Sequence, residues 1–164
     1  MFDFKIAGVV HNTTVDGEGL RTSIYFQGCP IKCPGCHNEE YQDISKGVSV
    51  SVSSVIEEIS QDKFIDGITI LGGEPFYQIQ ALHFLVKRYR KAFPQKSIWV
   101  YTGYTLNQVL KGPKVVHEIL NNIDYLVVGP YIKTKPTDKP FIGSSNQEIL
   151  CIKDLLQQGL LRSC

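Results

Sequence analysis

Apolar positions along the chain follow two periods. Strand-length runs rich in β-branched and aromatic residues occur at Phe4 to Val10, Thr22 to Gln27, Ile68 to Leu71, Ser97 to Tyr101, Tyr125 to Val128 and Ile149 to Ile152. Between several of them the period lengthens to that of a helix. Val52, Val55, Ile56 and Ile59 stand at helical spacing behind a Ser54-x-x-Glu57 capping box and predict a helix near 51 to 61. Ile79, Leu82, Val86, Tyr89 and Phe93 form one stripe, with Lys87, Arg88, Arg90 and Lys91 off it and Pro94 just beyond, which predicts a helix over about 77 to 92. Thr105-x-x-Gln108, and Pro113 ahead of Val115, Val116, Ile119 and Leu120, signal two shorter helices.

Alternation of helices with short apolar strands predicts an α/β fold, a parallel sheet with helices on its faces and right-handed crossovers. At 164 residues and 43% hydrophobic content, residues 1–164 are expected to form a single domain with a real core. The prolines and lysines of Gly129 to Pro140 read as a solvated loop, with a substrate-facing role as the alternative. Seventeen Lys and Arg against sixteen Asp and Glu leave a net charge of +1, so no global field draws the chain to nucleic acid or acidic lipid. Apolar runs are far shorter than the roughly 20 residues that cross a bilayer. The first residues resemble no secretory signal, and the expected compartment is the cytoplasm.

The strongest chemical signal is Gly28-Cys29-Pro30-Ile31-Lys32-Cys33-Pro34-Gly35-Cys36-His37-Asn38, a C-x3-C-x2-C run directly after a predicted strand. Five cysteines, three of them this close together, are poor material for a disulfide framework and point to reduced thiolates on a metal. Soft thiolates select zinc, copper(I) or iron–sulfur clusters. Three thiolates leave one iron of a 4Fe-4S cube open, whereas structural zinc wants four ligands. The candidates for a fourth are His37, awkwardly adjacent to Cys36, and the distant Cys151 and Cys164. A zinc-stabilised binding module is therefore the alternative from another class.

A second motif, Gly72-Gly73-Glu74-Pro75, follows the strand at Ile68 to Leu71. Its glycines allow close backbone approach to a ligand, and its carbonyls and carboxylate suit an ammonium group, although a tight strand-to-helix turn explains the same tetrapeptide. Tyr101, Thr102 and Tyr104 either flank a ligand or pack in the core. His11, His83 and His117 are scattered, as packing or surface residues are, and Cys151 reads as a small buried hydrophobe.

Together the two motifs resemble the radical S-adenosylmethionine superfamily. The resemblance implies that Cys29, Cys33 and Cys36 bind a 4Fe-4S cluster. It also implies that Gly72, Gly73 and Glu74 form the turn for the amino group of S-adenosylmethionine, with Gly35, Cys36 and His37 near its adenosyl portion. Within the superfamily the chain is most similar to the activators of anaerobic ribonucleoside-triphosphate reductase. That likeness rests on Val15 to Arg21, the Gly-Cys and Cys-His-Asn pieces of the cysteine run, Gly-Gly-Glu-Pro, Tyr101-Thr102-Gly103-Tyr104 and Gly143-Ser144-Ser145-Asn146-Gln147. It departs from the pattern at Val128, where an acidic residue is expected.

The likeness implies a truncated partial (β/α) barrel of mostly parallel strands and reductive cleavage of S-adenosylmethionine at the cluster. It further implies a glycyl radical on the large subunit of the anaerobic reductase and a low-potential electron donor such as flavodoxin. A small radical enzyme acting on another protein, a peptide or a nucleotide-derived substrate is the alternative within the same chemistry. No general base is called for.

Overall fold

In the computed structural model, which describes residues 3–161, the strand-period runs pair into one sheet. Its strands are β1 (Asp3–Thr13), β2 (Arg21–Phe26), β3 (Val48–Ser51), β4 (Gly67–Gly72), β5 (Ser97–Tyr101), β6 (Tyr125–Val128) and β7 (Glu148–Cys151). The helices are α1 (Val52–Ile59), α2 (Ile79–Ala92), α3 (Leu106–Leu110), α4 (Val115–Leu120) and α5 (Ile152–Gln157). None of the described helices is long and apolar enough to cross a membrane.

The strand order is β3-β1-β2-β4-β5-β6-β7, with β2, β4, β5 and β6 parallel and β1, β3 and β7 joined antiparallel. The expectation of a partial barrel of parallel strands is thus reduced to an open, mixed α/β sheet. Connection length explains part of the change. Residues 14–20 between β1 and β2 are fewer than the dozen or so a parallel crossover needs, so these strands pair antiparallel. The segment from β6 to β7 carries no helix, and it too returns antiparallel.

Period-two alternation sorts the two faces of the sheet. Ile24, Phe26, Ile68, Ile70, Ile98, Val100, Leu126 and Val128 join Val55, Ile59, Leu82, Leu85, Val86, Ile119 and Ile152 in one core. All five helices give their buried residues to this core, so the expected helix cover of both faces is corrected to one. Loops cover the other face. There Trp99 stacks on Tyr125 with centroids 4.5 Å apart, meets the Phe141 ring edge-on, and lies so close to Gly17 that a Cβ there would sit 2.9 Å from the indole.

Local signals hold with shifts at their ends. Thr105 and Gln108 form the reciprocal capping box of α3. The cap of α1 is Ser51 instead of Ser54: its hydroxyl accepts from the Ser54 amide at 3.0 Å, because α1 starts directly where β3 ends. The last predicted strand stops at Cys151, where Ile152 and Leu155 turn into the core as α5. His11 contacts Asp62 and Glu58 on the surface, and His83 bonds Glu118 at 2.8 Å, as residues without a shared site do.

Arg21, fully buried at the amino end of β2, has no carboxylate within 4.0 Å among the described residues. Its Nε donates to Thr69 Oγ1 at 2.7 Å, and its Nη atoms donate to the carbonyls of Glu18, Ile68 and Ser97 and to Ser97 Oγ. Burial pulls its pKa down. The guanidinium also lies over Trp99, 5.7 Å from the ring centroid, and so ties the β1–β2 loop to β4 and β5. Arg21→Met keeps the stem but orphans those buried acceptors, and chemical denaturation is expected to show a loss of about 3 kcal/mol.

Candidate functional site

Because β2, β4, β5 and β6 are parallel, their carboxyl ends open on the same side of the sheet, where α/β proteins gather binding loops. The cysteine run leaves β2 there. It has no helix or strand of its own to satisfy its backbone, and side chains and turns do so instead. Gln27, 2% exposed, donates through Nε2 to the carbonyls of Glu40 and Asp43, both at 2.8 Å. The amides of Gly28 and Cys29 donate to the carbonyls of Tyr41 and Gln42 at 2.7 and 3.0 Å, closing the base of the loop.

Inside that loop, Lys32 and Gly35 take left-handed backbone angles, and the Cys36 amide returns to the Cys33 carbonyl at 3.1 Å. These reversals bring Cys29, Cys33 and Cys36 to the wall of one cleft of about 390 Å³. All three thiols are half-buried and free of disulfides, and the Asn38 amide donates to Cys36 Sγ at 3.5 Å. Burial pushes the Cys29 thiol up, opposed by the amides of Lys32 and Ile31.

The glycine-rich turn forms the adjoining wall. Gly72 has a φ of +106°, and the amides of Gly73 and Glu74 donate to the carbonyls of Phe26 and Gly28, each at 2.8 Å. A Cβ on Gly73 would lie 2.4 Å from the Gly28 carbonyl oxygen and 2.9 Å from that of Tyr41. The glycine is therefore required by the approach of the cysteine loop's own backbone.

Glu74 is fully buried. Its carboxylate accepts from the Gly103 amide at 2.8 Å, the Phe76 amide at 3.0 Å and the Thr102 hydroxyl at 3.0 Å. These bonds are internal to the chain and give Thr102 and Gly103 their place, which the sequence left open. Burial raises the Glu74 pKa to about 7 against the pull of those donors.

The third wall is the segment between β6 and β7, in which Tyr131, Phe141, Ile142, Gly143 and Gln147 line the cleft. Of the stretch read as a solvated loop, Gly129 and Tyr131 line the cleft, whereas Lys133, Lys135 and Lys139 are exposed as expected. Tyr131 packs on His37 with ring centroids 4.6 Å apart, and Tyr101 donates its hydroxyl to the Phe141 carbonyl at 2.7 Å. Asp16 also faces the cleft and accepts from Ser23 Oγ at 2.8 Å and the Tyr25 hydroxyl at 2.9 Å. Its only trace in the sequence is its place in the Val15 to Arg21 stretch.

The cleft thus brings together Cys29, Cys33, Cys36, His37, Gly72, Gly73 and Glu74, while Gly35 sits at the rim beneath the Lys133 stem. Cys151 pairs with Tyr125 at the start of β6, the opposite end of the sheet, and is no fourth ligand; Cys164 lies outside the described residues. Three soft thiols spread around one wall, with no fourth cysteine among the lining residues, fit an iron–sulfur centre in which each sulfur takes its own iron.

Comparison with known proteins agrees with that donor set. Residues 15–150 match the family model described as a 4Fe-4S single cluster domain. The anaerobic ribonucleoside-triphosphate reductase-activating protein of Enterobacteria phage T4 is 32% identical over 139 residues, 82% of this chain and 86% of the relative. The chain belongs to this family of activating proteins. The protein of the same name from Haemophilus influenzae is 32% identical over 143 residues, and that from Escherichia coli K12 is 30% identical over 142; each match takes in 82% of this chain and 90% of the relative. Among solved structures, QueE from Escherichia coli superposes with a TM-score of 0.53 at 22% identity, over 63% of this chain and 53% of its own. That likeness is one of fold.

Two variants test the turn. Gly73→Ala drives a methyl group into two backbone carbonyls and is expected to lower stability by about 2 kcal/mol and to reduce iron content after anaerobic reconstitution. Glu74 binds its proton more tightly folded than unfolded, so its contribution to stability falls as pH rises from the ordinary carboxylate value through about 7. Thermal melts across that range are expected to show a shallower decline for Glu74→Gln than for the parent chain.

Proposed function

We propose that the chain activates anaerobic ribonucleoside-triphosphate reductase by radical S-adenosylmethionine chemistry, with Cys29, Cys33 and Cys36 as the anchors of its cluster. The observation that carries this reading is the meeting of three unpaired thiols and the Gly72–Glu74 turn in one cleft of a chain from the activating-protein family. When bound, a reduced 4Fe-4S cluster supplies the single electron that cleaves S-adenosylmethionine, the source of the radical that takes hydrogen from a partner glycine.

The protein's own residues bind, orient and shield. Cys29, Cys33 and Cys36 would hold three irons of the cluster and leave the fourth to the amino and carboxylate groups of the cofactor. The carbonyls of the Gly72–Glu74 turn would accept from the N–H groups of that amino nitrogen, and Glu74, committed to Thr102 and Gly103, keeps that turn at a fixed distance from the cysteine loop. The rings of His37 and Tyr131, tilted at 47° to one another, offer aromatic surface to the adenine, while Phe141 and Ile142 exclude water.

The four parallel strands with their loops are the truncated core of the superfamily's partial barrel. The reaction takes place in the cytoplasm, with the large glycyl-radical subunit as substrate and a low-potential carrier such as flavodoxin as donor.

Anaerobically reconstituted protein is expected to be brown, to contain iron and sulfide, and to release 5'-deoxyadenosine and methionine from S-adenosylmethionine on reduction. With the large reductase subunit present, electron paramagnetic resonance is expected to show an organic radical, and Cys33→Ala is expected to reduce both products to background. A colourless protein with stoichiometric zinc and no cleavage would overturn the reading in favour of a binding module.

A further inference from the structure

Residues 129–147 form a long connection without helix or strand, a kind of segment that in a compact domain is usually functional. It is pinned along its length. Gln147 bonds the Gly129 carbonyl through Nε2 at 2.9 Å and the Gly143 amide through Oε1 at 2.7 Å. The buried Ser144 hydroxyl accepts from the Ile132 amide at 3.1 Å, Asn146 Nδ2 donates to the Pro130 carbonyl at 2.8 Å, and the Ser145 amide donates to the Lys135 carbonyl at 2.8 Å. Pro130, Pro136 and Pro140 stiffen what those bonds leave. The result is a rigid strap along one lip of the cleft.

On its outer side the strap carries Lys133, Lys135 and Lys139, all exposed, against the single acid Asp138. Among the described residues none of the three lysines has a carboxylate within 4.0 Å, whereas Lys87 and Arg90 elsewhere do. The Lys133 stem lies over Gly35, where a Cβ would meet its Cδ at 2.9 Å, so its ammonium stands at the junction of strap and cysteine loop. Lys32, exposed on that loop, lines a separate depression with Glu39 and Asp43.

A backbone glycine reaches a cleft of about 390 Å³ only if a segment of the partner enters it, and the surface around that segment must then cover the lip. Covering unpaired ammonium groups with apolar or basic surface carries a desolvation penalty that only opposing carboxylates offset. We propose that this lysine edge docks an acidic segment of the protein substrate and guides its glycine-bearing loop into the cleft. The inference rests on the activating function above and adds the chemistry of the partner's contact surface.

The test uses the reconstituted holoprotein and the intact large reductase subunit. Two variants are compared with the parent: Lys135→Glu/Lys139→Glu, and Lys133→Met, which keeps the stem over Gly35 and deletes only the charge. Reductant-driven release of 5'-deoxyadenosine without the partner is expected to stay at the parental rate in both. The KM for the partner in radical formation is expected to rise about tenfold or more for the double variant at low ionic strength and about threefold for Lys133→Met. The parent's KM should climb with salt as screening shortens the reach of its charges, and the double variant's should not.

An unchanged KM and salt dependence would overturn the docking edge and leave the activating function in place. Loss of partner-free cleavage in the double variant would also overturn it, by making the strap part of the cofactor site. Absence of 5'-deoxyadenosine from the parent holoprotein would instead strike the function on which the inference rests.

Discussion

A carboxylate closed off from water holds the ends of the central strands together. Glu74 leaves β4, bonds the Thr102 hydroxyl and Gly103 amide just beyond β5, and through its own amide grips the Gly28 carbonyl just beyond β2. Three strand ends are thereby fixed to one another at the place where the sheet meets its cleft. The cost of burying the acid is visible in its raised pKa, and the donors around it offset part of that cost. The cysteine loop after β2, the glycine-rich turn after β4 and the Thr102–Gly103 segment after β5 all leave strand ends that this group ties together.

The division of labour between the faces of the sheet follows from the same alternation. Even-numbered positions of β2, β4, β5 and β6 build a dry interface with the helices, where Ile and Val dominate. Odd-numbered positions carry Ser23, Tyr25, Thr69, Trp99 and Tyr101, polar or amphipathic side chains that bond to loops instead. One face supplies most of the hydrophobic stabilisation, and the other is free to be shaped around a ligand.

Much of this was legible in the chain. The Thr105 and Gln108 cap, the long stripe of α2 and the strand runs depend on neighbours a few residues away, so local spacing suffices. The cysteines and the Gly-Gly-Glu turn were legible because their chemistry is compressed into short motifs. The one-sided helix layer, the sheet that stays open, the cap at Ser51 and the contribution of residues 129–147 to the cleft were not. Each depends on where the chain returns after a loop: Gln147 finds Gly129 only because β7 comes back antiparallel to β6, and no period in the sequence records that. Asp16 was hidden for the same reason, since its partners on β2 are met only after the chain reverses.

The side-chain amide of Gln27, stretched between two carbonyls of the segment after the cysteines, has a consequence for maturation. A peptide that folds only around its metal must meet the entropy of ordering at the moment of capture. Here Gln27 bonds that segment through the chain's own atoms, so part of the ordering has a source other than the metal. Less of that entropy is then left for the incoming iron to meet.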